Sequence, residues 1–231
     1  MHAGYARDID ILRGVSITAR DGQLTTIIGA NGVGKSTLLK AIIGQLRPHS
    51  GTILCGERDI TGIATRNLVR MGIGYIAQRH LVFPHMSVQE NLEMGAWSFR
   101  QDTSRRKRAI DACMERAPYL KEFRDKPAGL LSGGQQRLME IERTLMSGPD
   151  LILIDEPTVG LDPKRAASIY RRLRSLVREE KKTILMVDQN VIAGTDVADY
   201  IYVLELGTNK LEGTKQQFDA EYRDTIAEWL L

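Results

Sequence analysis

Residues Gly29-Ala30-Asn31-Gly32-Val33-Gly34-Lys35-Ser36-Thr37 stand between an apolar run, Leu24 to Ile28, and a helical pattern from Lys35 to Gln45. This GxxxxGK[ST] spacing in a strand–loop–helix context constrains the fold more than any other feature. Glycines let the loop turn tightly, so that backbone N–H groups point inward and the helix N-terminus adds positive potential. The product is an anion cradle suited to phosphate. In it Lys35 reaches the β- and γ-phosphates, Ser36 offers a hydroxyl to Mg²⁺, and Thr37 offers a hydrogen bond. A glycine-rich turn that binds nothing is the competing reading, and it leaves the lysine and the hydroxyl pair unexplained.

The rest of the chain repeats the same alternation. Leu24 to Ile28, Ile73 to Ala77, Leu151 to Ile154, Thr183 to Val187 and Tyr200 to Leu204 read as strands too apolar to face water on either side, which places them in a covered, mainly parallel sheet. Helical patterns lie over Lys35 to Gln45, Gly133 to Met146 and Pro163 to Glu180. The last opens on a proline suited to a first turn. The segment from about Ile60 to Leu131 departs from this rhythm, with helical patterns over Val88 to Met94 and Arg105 to Ala117. A helical subdomain, about residues 80–150, set into one domain spanning 1–231 is therefore expected.

Two further motifs carry chemistry. The run Leu151-Ile152-Leu153-Ile154 ends in Asp155-Glu156, two carboxylates at the sheet edge where a nucleotide lies. Asp155 can hold Mg²⁺ through water, and Glu156 can polarise the attacking water as a general base. An acidic turn after a buried strand is the plainer alternative for this pair alone. Leu131-Ser132-Gly133-Gly134-Gln135 precedes a helix with apolar residues at Leu138, Ile141 and Leu145. A serine N-cap followed by two glycines leaves N–H groups free, which makes a second anion site.

These three motifs, in this order, resemble the ATP-binding cassette family over almost the whole chain. The resemblance implies an α/β fold with a P-loop NTPase sheet core, mainly parallel with an antiparallel portion, plus an inserted α-helical subdomain. It implies ATP and Mg²⁺ as ligands, with Ser36, Gln78 and Asp155 at the metal, and hydrolysis involving Lys35, Glu156 and residue 189. Nucleotide contacts then fall to Tyr5 (adenine stacking), Asn31, Gly32, Gly34, Lys35, Ser36, Thr37 and Gln78. Ser132, Gly133, Gly134 and Gln135 match the signature that contacts nucleotide held by the opposite subunit of a head-to-tail dimer. Asp162 resembles the aspartate loop that communicates across that dimer.

One position departs from the family pattern. After Thr183 to Val187 most members carry a histidine that hydrogen-bonds the γ-phosphate, and here Gln189 occupies its place. Its amide can donate a hydrogen bond but cannot carry a proton or a positive charge. Gln189-Asn190, with Val82-Phe83-Pro84, the helix start Ser87 to Leu92 and Glu212-Gly213-Thr214, resembles the second ATPase subunit of branched-chain amino acid importers and their urea and amide relatives. The implied partners are an identical or sister ATPase subunit, integral membrane permeases docking near Gln78 to Pro84, and indirectly a periplasmic binding protein. The implied place is the cytoplasmic face of the cell membrane. Glu142 is a further departure, since small residues are usual there.

Composition sets limits on other classes. With 32 basic and 29 acidic residues the net charge is +3, and the charges are mixed along the chain, so nucleic acid is not an expected partner. Arg105 to Arg108 begin a polar helix with Asp111 and Glu115 following, which reads as a solvated face. Cys55 and Cys113 lack a CxxC spacing, and His49, His80 and His85 lack metal spacing or a carboxylate companion. Met1 to Asp10 is too polar for a secretory signal, and no apolar run nears the ~20 residues needed to span a bilayer. The rival class is a soluble ABC ATPase of repair or translation. Paired cassettes, a coiled-coil insertion or zinc modules would mark that class, and the sequence has none.

Overall fold

The computed structural model describes residues 1–6, 9–79 and 81–222. Six strands form the main sheet: β1 (Leu24–Ile28), β2 (Ile73–Ile76), β3 (Leu151–Asp155), β4 (Thr183–Val187), β5 (Tyr200–Glu205) and β6 (Thr208–Thr214), in spatial order β6-β5-β1-β4-β3-β2. All neighbours are parallel except β5 and β6, which pair antiparallel as a hairpin. The sheet is thus mainly parallel with an antiparallel portion, as the resemblance implied.

The unbroken apolar runs resolve into two faces. Ile152, Ile154, Ile184 and Met186 pack with Ile169, Leu173 and Leu176 of the helix Pro163–Arg178, while Leu153, Leu185 and Val187 pack with Leu38, Leu39 and Ile42 on the other side. Alternate side chains of one strand therefore feed two cores, which is why neither face could be left polar. The helix after the phosphate loop, α1 (Lys35–Ile42), stops three residues before the expected Gln45, because Gly44 takes a left-handed φ of 73°.

Beyond β2 lie α2 (Val88–Gly95), α3 (Thr103–Arg116) and α4 (Gly133–Leu145). Val88, Leu92, Ile110, Cys113, Met114, Leu120 and Met139 form a third core among them. Ile73–Ile76 belongs to the edge of the main sheet, and the helices of this third core follow it in the chain. Ser87 opens α2 with a reciprocal capping box to Glu90. The helix Pro163–Arg178, here α5, is started by the Asp162 carboxylate, which accepts from the Arg165 N–H at 3.0 Å.

Two placements were not visible in sequence. Glu142 is buried in α4, where its carboxylate accepts from Arg116 Nε of α3 at 2.7 Å and Arg172 Nε of α5 at 2.6 Å. His49 does have a carboxylate companion, contrary to expectation: Asp10 accepts from or bonds to His49 Nδ1 at 2.8 Å and His2 Nδ1 at 2.9 Å. Residues so far apart in the chain meet because the N-terminal strand pair His2–Ala3 and Leu12–Arg13 lies beside Ser50. His80 lies outside the described residues.

Candidate active site

The carboxyl ends of the parallel strands meet along one edge. Ile27 and Asp155 both stand in register with Val187, and Ile76 with Ile154, so Gly29, Gln78, Glu156 and Asp188 emerge side by side. Ligands of open α/β sheets bind at such an edge.

The loop 29–37 is closed on its own lysine. Lys35 is 5% exposed, and its Nζ donates to Gly29 O at 2.7 Å and Ala30 O at 3.0 Å. Burial lowers its pKa, against which the carboxylates of Glu156, Asp188 and Asp155 act to raise it. Gly34 has φ 108°, a conformation that a residue with a Cβ rarely adopts, so the backbone here favours glycine. Asn31 and Gly32 are exposed at the loop's tip, and Thr37 is buried. Tyr5 is 62% exposed beside this loop, where its hydroxyl accepts from Lys40 Nζ at 3.1 Å. An open ring so placed is free to stack on a base.

Ser36 Oγ donates to Asp155 Oδ1 at 3.0 Å, and Gln78 Nε2 donates to Glu156 Oε2 at 2.7 Å. Asp155 and Glu156 are buried, and burial raises both carboxyl pKa values. For Glu156 the Lys35 charge opposes that rise. A buried carboxylate joined to a serine hydroxyl, with Gln78 nearby, is a hard oxygen donor set that fits Mg²⁺ and leaves positions for phosphate and water. Glu156 holds φ 44°, a left-handed conformation unusual for a side chain with a Cβ. Its N–H donates to Val187 O at 2.9 Å.

The sequence motifs do not all converge within one chain. Ser132 caps α4 through a reciprocal box with Gln135, and a Cβ on Gly134 would lie 3.0 Å from Arg165 Cβ. Among the described residues no hydrogen bond joins this turn to the loop 29–37. Gln189 is exposed just past β4, and its neighbour Asp188 is buried, accepting from Tyr170 Oη at 2.7 Å and the Asn190 N–H at 2.8 Å.

Sequence reasoning missed Asp188 and three residues of α4. Arg137, 1% exposed, donates to carbonyls around Glu156, while Glu140 and Arg143 bond the Leu81 N–H and C=O respectively. Asn91 holds the adjoining Phe83 through its N–H and C=O, each at 2.9 Å. Charges at Arg137 and Glu140, spaced i,i+3 within an apolar-periodic helix, were the available signal.

Burial pushes the Asp188 carboxyl up to about 6, with the Tyr170 and Asn190 hydrogen bonds opposing and Glu156 assisting. Its folded value exceeds the unfolded one of 3.8. The stability it contributes is therefore present in full below 3.8 and is lost as pH rises through about 6. Without nucleotide or Mg²⁺, Asp188→Asn should flatten the fall in stability over this window by on the order of 3 kcal/mol. Urea unfolding at a series of pH values measures it, and parallel curves for the two proteins would contradict it.

A family described as ABC transporter matches residues 12–159. A probable branched-chain amino acid transport ATP-binding protein, LivF of Archaeoglobus fulgidus, is 35% identical, covering 94% of this chain and 91% of its own. The high-affinity branched-chain amino acid transport ATP-binding protein BraG of Pseudomonas aeruginosa is 37% identical over 88% and 86%. The lipopolysaccharide export ATP-binding protein LptB of Acidithiobacillus ferridurans is 32% identical over 92% and 87%. Among solved structures, a nucleotide-free ATP-binding cassette from an ABC transporter superposes with a TM-score of 0.87 at 28% identity, covering 100% and 96%. A dimeric post-hydrolysis cassette bound to ADP and phosphate gives 0.77 at 27%, covering 90% and 91%.

Proposed function

This chain belongs to the ABC transporter family as an ATP-binding, ATP-hydrolysing subunit, and on that premise we propose that it powers uptake of branched-chain amino acids or a related small polar solute. The observation that carries the hydrolytic part is the Gln78–Glu156 hydrogen bond beside the Ser36–Asp155 pair, on the edge that bears the phosphate loop. The loop's N–H groups and Lys35 bind the phosphates, and the Tyr5 ring takes the adenine face. Ser36, Asp155 and Gln78 would hold Mg²⁺, which supplies charge neutralisation on the transferring phosphoryl group. Glu156 orients the attacking water and accepts its proton. Gln78 keeps the carboxylate aimed until the γ-phosphate competes for the amide, and Gln189 donates a hydrogen bond in place of the family's histidine.

Ser132 to Gln135 serve the site of a second ATPase subunit, identical or sister, since in their own chain they stand apart from the loop 29–37. The transport step is assigned to separate permeases, as the membership of a transporter family suggests; no described helix is long and apolar enough to cross a membrane. Leu81 and Phe83 are exposed within the proposed docking segment, which suits an apolar helix of such a permease. The chain then sits at the inner face of the membrane. An export reading is favoured by the likeness to LptB and to a Nod factor export ATP-binding protein.

Deletion of the chain's gene should abolish uptake of labelled leucine, isoleucine and valine into whole cells. A tagged chain should also co-purify with permeases from solubilised membranes. Normal uptake with defective lipid export would shift the reading to export, and recovery with ribosomes or DNA instead of permeases would end the transporter reading.

A further inference from the structure

Arg137 stands one turn past the Ser132 cap and is 1% exposed. A guanidinium has five N–H donors, and here every nitrogen is engaged. Nε donates to Pro157 O at 3.0 Å, Nη2 to Asp155 O at 3.2 Å and to Glu156 O at 3.5 Å. Nη1 donates to Ala77 O at 2.7 Å and to Glu140 Oε2 at 3.1 Å. One buried side chain thus holds three successive carbonyls around Glu156 and the carbonyl next to Gln78.

Those are the two residues whose side chains meet at 2.7 Å. Glu156 holds a left-handed φ of 44°, a conformation that persists only where its surroundings fix it. The Val187 carbonyl fixes its N–H side, and Arg137 fixes the carbonyls of its own residue and of both neighbours. Burying a guanidinium requires compensation, which Glu140, itself 3% exposed, supplies. An apolar side chain could fill the space without these bonds, so a purely space-filling role does not account for the donor pattern.

We propose that Arg137 is a positioning residue for hydrolysis, holding the backbones of Glu156 and Gln78 so that the carboxylate and amide meet in line with the phosphate loop. This rests on the reading of Glu156 as the base. It also gives α4 a task beyond its cap: the helix that presents Ser132 to a second subunit carries the group that sets the carboxylate in its own.

The decisive comparison is of Arg137→Lys and Arg137→Gln with the unaltered full chain, in steady-state ATPase assays and in nucleotide binding. Displacement of a reacting group by about 1 Å costs on the order of 100-fold, so kcat should fall by roughly 30- to 100-fold. KM and ATP affinity should move less than about threefold, because the loop 29–37 is untouched. Lysine keeps the charge facing Glu140 but cannot reach four carbonyls, and it should fold where glutamine does not.

A double-variant cycle with Glu156→Gln, read by single-turnover phosphate release at excess protein, separates the two ideas. If Arg137 acts through Glu156, adding Arg137→Lys to Glu156→Gln should lower the residual rate by less than about threefold. Arg137→Lys with kcat within threefold of the unaltered chain would overturn the proposal while leaving the base in place. So would a multiplicative loss in the double variant, or a loss of kcat no larger than the loss of folded, ATP-binding protein. Glu156→Gln at an unaltered rate would instead overturn the base reading from which the proposal starts.

Discussion

Replacing Glu156 by glutamine should leave Mg-ATP binding within a few-fold of the unaltered chain and lower turnover by about 10²- to 10⁴-fold. The side chain keeps its shape, and Gln78 can still bond to the new carbonyl oxygen in the place of Glu156 Oε2. What disappears is the group able to accept the proton of the attacking water. Burial already lifts the carboxyl pKa of Glu156, which strengthens it as a base, while the Lys35 charge limits the lift. Activity in the unaltered chain should accordingly fall on the acid side as Glu156 takes a proton. The variant should also accumulate as an ATP-bound dimer, since closure does not need the base and reopening follows hydrolysis. Phosphate release measures the first effect and light scattering with ATP the second. An unchanged release rate would remove Glu156 from the role.

The second large effect concerns stability. Among the described residues Glu142 is the one carboxylate paired with Arg116 and one of two paired with Arg172, and its own side chain is 3% exposed. Glu142→Ala should destabilise the chain by about 3–5 kcal/mol, because Arg116 loses its carboxylate and the more buried Arg172 keeps only Glu180. Arg172 suffers more than Arg116, being 18% against 36% exposed in its side chain. Burial depresses the Arg172 pKa, and the hydrogen bonds and charges of Glu142 and Glu180 together more than restore it, those of Glu142 first. Changing Glu142 to leucine together with Arg172 to methionine should recover much of the loss, since the more buried guanidinium leaves with the carboxylate and Arg116, 36% exposed, can turn to water. Urea midpoints of the single and double variants decide it. An equal loss in both would mean that packing volume, rather than charge, is what Glu142 provides.

The contrast between legible and hidden features follows from chain distance. The strands could be read because Leu24 to Ile28 or Thr183 to Val187 are buried on both faces, and that needs only a local run of apolar residues. Gly34 and Lys35 were legible because a left-handed turn and a helix start are also local events. Arg137 was not, since its partners lie 18 to 20 residues ahead and 60 behind, and nothing in an amphipathic pattern says that a charge on the buried face has found four carbonyls. Glu142 looked like an anomaly among small residues for the same reason. Its meaning depends on Arg116 and Arg172, which sit on helices from different layers. His49 and Asp10 are a smaller case, separated by 39 positions.

The lysine that closes the phosphate loop bears on timing. Because Lys35 Nζ spans Gly29 O and Ala30 O, the loop's own lysine holds the curve that receives phosphates. An incoming triphosphate then has little chain to order, and encounter need not wait for a rare loop conformation. The remaining step is an exchange of partners by one ammonium group, from two carbonyl oxygens to phosphate. Capture should therefore be quick and weakly sensitive to temperature, leaving the slow passages of the cycle to subunit closure and reopening rather than to the loading of the loop.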